Sequence, residues 1–324
     1  MDDSTQEMLL GHRPNGVEGL EPIPAGEWEQ DAAKRALDEL FSLTSQYKTS
    51  RAYYELLQFV ARFRFYSPFN ALLVHVQMPG ARFVAPPHRW LFDYRRRIRP
   101  GARPLVILQP MGPVMFVFDV SDTEALKDAP ALPPEVEKPF EIRKGKVGGS
   151  LEVVIENAKR DGIRTTRSRE GSQSAGSIHH VDKGVRESQK FQEGFDKNRK
   201  PVHVYIPVKY DIIVNTNLSC EAQYATIVHE LAHLYCGHLG TPNNQWWPDR
   251  RGLEHQVEEF EAESVAYMVC TRLGIDNPSE QYLAGYVSQE EQVPSISLEC
   301  VMKAVRLIES MSRNKLKPRN FKKE

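Results

Sequence analysis

The sequence predicts an α+β protein, and three observations carry that prediction. Apolar residues recur at helical spacing in several separate stretches, β-rich runs broken by Pro and Gly lie between them, and a Pro- and Gly-rich break divides the chain near its middle. The expected organisation is a small N-terminal helix and hairpin domain over residues 27–135, preceded by a mobile tail of 1–26. A linker over 136–149 leads to a mixed α/β domain at 150–312 and a basic tail at 313–324. With 324 residues, 40% of them hydrophobic, the chain is long enough to bury two cores.

Each element has its own warrant. Trp28, Ala32, Ala36, Leu40 and Leu43 keep helical spacing, and a second helix is expected from Arg51 through Phe63. In SPFNALLVHVQMPG, Ser67 is a ready N-cap, Pro68 suits the first helical position, and Pro79-Gly80 stops the helix. PLVILQP and PVMFVFDV read as paired strands. Ser150 is expected to cap LEVVIENAKRDG, with Gly162 just past its end. GIRTTRS and VHVYIPVKYDIIVN are strand candidates, and the charged stretch between them, about 179–200, reads as an inserted loop or exposed helix. Helices are then expected from about Ser219 to His238, from Leu253 to Leu273 before Gly274, and from Leu298 to Met311. The final NKLKPRNFKKE reads as solvated.

A net charge of −1 gives no whole-protein pull toward nucleic acid or membrane, so any such attraction must be local. The acidic N-terminus lacks an apolar signal core, and no run approaches the ~18 apolar residues of a membrane span, so a soluble, cytoplasmic protein is expected. Cys220, Cys236, Cys270 and Cys300 have no paired spacing and are expected to be buried free thiols. P-loop, Rossmann and nucleophile-elbow motifs are absent.

The chemistry lies in IVHELAHLYCGHLG. His229 and His233 stand four apart, so on a helix both rings project from one face. That is the HExxH spacing, in which neutral imidazoles hold zinc at ~2.0–2.1 Å and Glu230 is placed to take a proton from the water that zinc activates. A third ligand is required. The metzincin pattern would need Gly at 236 and His at 239, where this chain has Cys236 and Leu239; His238, at the helix end, reads instead as a complement to the helix dipole. The second helix, EEFEAESVAYMVC, supplies Glu259 and Glu263 one turn apart, beside the small residues Ala262 and Ala266. Carboxylates on a face that must pack closely are costly unless a cation neutralises them.

HELAH followed by ExxAE resembles the gluzincin arrangement of ImmA/IrrE-type metallopeptidases and of ArdC-like antirestriction proteins. The resemblance covers roughly 150–312, with the 179–200 insertion and the long loop before the second helix departing from it. It implies a zincin-like mixed α/β metallopeptidase domain, with Zn2+ held by His229, His233 and Glu259, Glu230 as the catalytic base, and Glu263 orienting a ligand histidine. Glu261 is expected to face solvent. The stretch from Phe63 to Pro110 resembles the single-stranded-DNA-binding domain of ArdC-like proteins, with Arg82, Arg89, Trp90, Arg95, Arg96, Arg97, Arg99 and Arg103 as the nucleic-acid-binding set. These arginines have only Asp93 among them and interleave with Phe83, Trp90, Phe92 and Tyr94, a combination suited to phosphates and unpaired bases.

Two further readings stay open. Trp246 and Trp247 line a substrate cleft or pack a loop on the core, and His255 polarises a substrate carbonyl or serves packing. Strand DIIVN is expected at the edge of the cleft, where an extended substrate adds to it. The expected function is a zinc-dependent metallo-endopeptidase acting on a protein or peptide, regulated by or localised on single-stranded DNA. The alternative is an ArdC-like single-stranded-DNA-binding protein whose metal site is structural or vestigial.

Overall fold

The computed structural model describes residues 47, 49–109, 112–127, 129–132, 146–169, 176–182, 187–288, 292–319 and 321, all within the compact unit Leu40–Glu324. The expected tail at 1–26, the Trp28 helix and most of the linker lie outside them. The α+β class holds: helices surround three-stranded and two-stranded sheets rather than alternating around one parallel sheet. Among the described residues no helix is long and apolar enough to cross a membrane.

The N-terminal part follows its local signals closely. Helix α1 (Ser50–Arg62) is capped by Thr49, and α2 (Pro68–Gln77) by the Ser67 hydroxyl, which accepts from the Asn70 amide, with Pro68 at the first turn. Strands β1 (Val84–Ala85), β4 (Gly112–Asp119) and β3 (Leu105–Gln109) form one antiparallel sheet in the order β1-β4-β3. The open edge of β3 is covered by amide side chains of α2. Asn70 exchanges hydrogen bonds of 2.9 and 3.0 Å with the Leu108 backbone, and Gln77 exchanges two of 2.8 Å with Val106. Helix α3 (Pro87–Phe92) leads into β2 (Arg96–Ile98), which pairs with β5 (Thr123–Ala125).

The C-terminal part opens with α4 (Ser150–Ala158). Gly149 occupies the cap position and Ser150 is the first helical residue, one place later than the sequence predicts for the cap. Strands β6 (Ile163–Ser168), β10 (Tyr210–Asn215) and β7 (Gly176–His180) form a sheet in the order β6-β10-β7, with β6 parallel and β7 antiparallel to β10. The DIIVN strand, β10, is therefore central, with β6 and β7 at the two edges. The 179–200 stretch is not a loop or helix insertion. His179 and His180 end β7, and β8 (Ser188–Phe195) pairs with β9 (Pro201–Pro207) as an antiparallel hairpin. Only Phe191 and Ile206 of that hairpin are buried apolar residues, so its period-2 pattern is nearly invisible in a polar sequence.

Four helices complete the fold: α5 (Cys220–Tyr235), α6 (His255–Leu273), α7 (Ser279–Ser288) and α8 (Leu298–Arg313). One hydrophobic core runs from Leu56 and Leu72 through Ile212 and Leu231 to Val265 and Ile308. The packing does not follow a division at residues 135–150. Arg272 of α6 donates to the carbonyls of Val60, Phe63 and Tyr66 while its Nε donates to Glu309 of α8. Of the basic end, Arg313, Lys315 and Lys317 are exposed, whereas Arg319 and Phe321 are half-buried. Arg319 bonds Asp161 and lies 5.0 and 5.6 Å from the ring centres of Trp246 and Trp247, and Phe321 meets Trp246 edge-on. A guanidinium between indoles and a buried carboxylate gains more there than in water. Of the cysteines, Cys236 and Cys270 are buried, Cys300 is half-buried and Cys220 is exposed; all are free.

Candidate metal centre

Helix α5 buries Tyr224, Ile227, Val228, Leu231 and Leu234 against the sheet and α6, which fixes its rotation. On α6, Ala262 and Ala266 are fully buried and let the two helices approach closely. Gly176 permits the same closeness at the sheet: a Cβ there would stand 2.6 Å from the Thr226 methyl and 2.5 Å from the Ile213 carbonyl. His229 and His233 consequently point at Glu259 across the helix pair.

The donor atoms form a compact triangle. His229 Nε2 and His233 Nε2 are 3.1 Å apart, Glu259 Oε1 is 3.4 Å from His233 Nε2, and Glu259 Oε2 is 3.7 Å from His229 Nε2. Ligands at about 2.0–2.1 Å in tetrahedral array stand roughly 3.3 Å from one another, close to the separations found here, so two imidazoles and a carboxylate suit a zinc ion in spacing and in donor type. Burial, with His229, His238 and His255 nearby, pushes the His233 imidazole down to about 3, so it offers a lone pair at neutral pH.

Glu230 is buried on the opposite flank of α5 from solvent. Burial raises its carboxyl above the usual range, opposed by His229 and by the bond it accepts from the Ile178 backbone of β7. Glu263 Oε1 lies 3.7 Å from His229 Nδ1, beyond hydrogen-bond length. His255 is exposed, with its Nδ1 3.8 Å from Glu259 Oε1. Trp247 packs on the core, donating its indole N–H to the Gly240 carbonyl at 2.8 Å, and Trp246 packs under the C-terminal residues.

Two residues sit far from where the sequence predicts them. Glu261 is not on a solvated face: it is 0% exposed and accepts from Arg250 Nη1 at 2.6 Å, Arg250 Nη2 at 2.8 Å and the Ser297 amide at 2.6 Å. Burial works against its charge, but the bonds from His238, Arg250 and Ser297 outweigh it and hold the carboxyl below its ordinary range. His238 does not serve the helix dipole. It is buried, with Nδ1 2.9 Å from His233 Nδ1 and Nε2 2.9 Å from Glu261 Oε2.

The arginine-rich stretch divides. Arg82, Arg95, Arg97, Arg99 and Arg103 are exposed, Arg97 pairing with Glu124; Arg89 bonds Asp93 at 2.8 Å, and Arg96 donates to the Thr123 hydroxyl at 2.7 Å. Trp90 is 0% exposed, packs edge-on to Phe83 and donates its N–H to the Phe118 carbonyl, so it presents no face to a base. Phe92, 72% exposed, is the open aromatic of that stretch.

The helix pair thus brings together three side chains, His229, His233 and Glu259, that could hold a metal ion. Residues 179–272, which span both helices, match the sequence profile described as IrrE N-terminal-like domain, Peptidase_M78. Among known structures, the chain is similar to the metal-free crystal structure of the antirestriction protein ArdC from plasmid R388. The identity is 13%, the alignment covers 75% of this chain and 81% of that one, and the TM-score is 0.30. No curated protein sequence matches.

Proposed function

We propose that this protein is a zinc-dependent metallo-endopeptidase that hydrolyses a protein or peptide substrate. The observation that carries the reading is the triangle of His229, His233 and Glu259 with Glu230 beside it. His229, His233 and Glu259 would hold the zinc ion, whose Lewis acidity serves both the attacking water and the scissile carbonyl. Glu230 accepts the proton from that water and returns it to the departing amine, a task suited to a carboxylate whose affinity for protons burial has raised. Glu263, 3.7 Å behind His229 Nδ1, would act on that ring through its charge rather than through a hydrogen bond. Strand β7, whose outer edge is unpaired among the described residues and whose Ile178 backbone bonds Glu230, is the edge along which an extended substrate would add a strand. Zinc content of the purified chain, together with cleavage of an unfolded protein by wild type and Glu230→Gln, tests the reading. A metal-free wild type, or equal cleavage by both proteins, rejects it.

A second reading is supported by a separate observation, the five exposed arginines from Arg82 to Arg103 together with exposed Phe92. These groups suit phosphate contacts and base stacking on single-stranded DNA, as a means of localising or regulating the peptidase. Fluorescence anisotropy of a labelled oligonucleotide across a salt series, using the full chain, tests this. Reversing Arg95, Arg99 and Arg103 to Glu should flatten the dependence of log K on log salt. Absence of binding at low salt leaves the peptidase reading alone.

A further inference from the structure

Behind His233 lies a buried polar chain that neither the HExxH pattern nor its facing glutamate requires. It begins at Arg250, on the loop joining α5 to α6. Gly237, at φ +89°, turns that loop back beneath α5; a Cβ there would stand 2.4 Å from the Pro248 carbonyl. The return brings the Arg250 amide to the Gly237 carbonyl at 2.9 Å and its guanidinium to the Cys236 carbonyl at 3.0 Å and to both oxygens of Glu261.

The direction of every hydrogen bond in this chain follows from its far end. Held by a permanently charged guanidinium, Glu261 is a carboxylate and can only accept. His238 Nε2, 2.9 Å away, must therefore carry a hydrogen, and a ring with that single hydrogen keeps Nδ1 as a lone pair. That lone pair faces His233 Nδ1 at 2.9 Å, so His233 must donate from Nδ1, and its Nε2 is left bare toward Glu259. We propose that His238, oriented by Glu261 and Arg250, is a positioning residue that fixes His233 in the Nδ1–H tautomer, with Nε2 presented to the metal. Cys236, His238 and Glu261 also stand close enough to hold a metal themselves, but the Arg250 guanidinium already occupies both Glu261 oxygens, so the cluster supports a ligand rather than forming a second centre. His229 has no comparable backing, its nearest carboxylate oxygen standing at 3.7 Å.

This inference rests on the zinc reading for its purpose, but the tautomer arm of its test does not. Nitrogen-15 histidine spectra of the zinc-free full chain report tautomers directly, and His233 is expected as Nδ1–H in wild type. His238→Phe removes the acceptor while keeping bulk, and should admit the Nε2–H form. His238→Asn places an amide oxygen near the position of Nδ1 and should restore Nδ1–H. Zinc affinity by chelator competition should fall about 10–100-fold in His238→Phe and recover in His238→Asn, with the thermal midpoint checking that each variant folds. Wild-type His233 in the Nε2–H form, or a folded His238→Phe that keeps both the wild-type tautomer and zinc affinity, overturns the proposal. A His238→Asn variant no better than His238→Phe also overturns it, since His238 would then only fill space. If wild type shows the Nδ1–H form and binds no zinc, the positioning stands and the peptidase reading falls.

Discussion

The helix pair α5/α6 and the arginine-rich stretch from Arg82 to Arg103 were both conspicuous in the sequence, but they fare differently in the structure. In the first, spacing on a helix dictates direction: four residues make one turn, so His229 with His233 and Glu259 with Glu263 share a face once each helix buries its apolar side. In the second, composition alone suggested a shared surface, and the chain sorted its members by physics. Trp90 and Phe83 went to the core, Arg89 and Arg96 were taken up by local partners, and the remaining arginines stayed in solvent with Phe92. A periodic motif therefore specifies geometry, whereas a cluster of residue types specifies only an inventory.

The largest expected effect sharpens the periodic side of this contrast. Glu230→Gln preserves shape and donor triangle but removes the base, so turnover should fall ~10²–10⁴-fold while bound zinc is unchanged. Loss of zinc in that variant would show that Glu230 acts on the metal rather than on the proton. The second prediction addresses Trp90. Its truncation to Ala should cost about 3–5 kcal/mol in urea unfolding, as for a core indole, and an unchanged midpoint would return Trp90 to the surface set.

His75 comes next in size. It is buried on α2 near Tyr47 and Phe59, and burial holds its imidazole down at about 4. The unfolded chain takes up a proton near pH 6.5 that the folded chain refuses until about 4, so this residue's contribution to stability is intact above pH 6.5 and falls as pH drops through that window. The loss reaches roughly 3 kcal/mol, and His75→Phe should make unfolding free energy visibly less steep between pH 7 and 4.5. The smallest effect sought is at Phe92. Replacement by Ala should leave stability within about 0.5 kcal/mol yet weaken single-stranded-DNA binding by ~1–3 kcal/mol, seen in anisotropy titrations at constant salt. A stability loss with unchanged binding would reverse the assignments of Trp90 and Phe92.

The same contrast explains what the sequence made legible. Helices with Ser or Thr caps, Pro68 at a first turn and the β3–β4 pair announce themselves locally, as do the candidate metal-binding side chains of HELAH and ExxAE. Glu261 was hidden because an acidic residue between two others on a helix reads as solvated, and what buries it is Arg250, delivered by a loop whose path depends on Gly237. His238 was hidden for the same reason: its partner lies 23 positions away in sequence. Strand β9 was legible in VHVYIP, but its partner β8 was missed because SQKFQEGF is mostly polar, and Arg319 because a basic terminus carries no local sign of the indoles it meets.

Arg272 sets a limit on how this chain can be cut and recombined. Its guanidinium joins α6 to the carbonyls at the end of α1 and to Glu309 of α8, with a side chain almost wholly shielded from water. A chimera that exchanged the segment before residue 150 for an unrelated one would keep the Glu309 pair but strip that cation of its carbonyl acceptors, at about 1–3 kcal/mol for each buried donor left unmatched. The end of α1 and α6 are thus coupled through one side chain, and a swap that respects the coupling must keep the backbone carbonyls of Val60, Phe63 and Tyr66 within reach of Arg272.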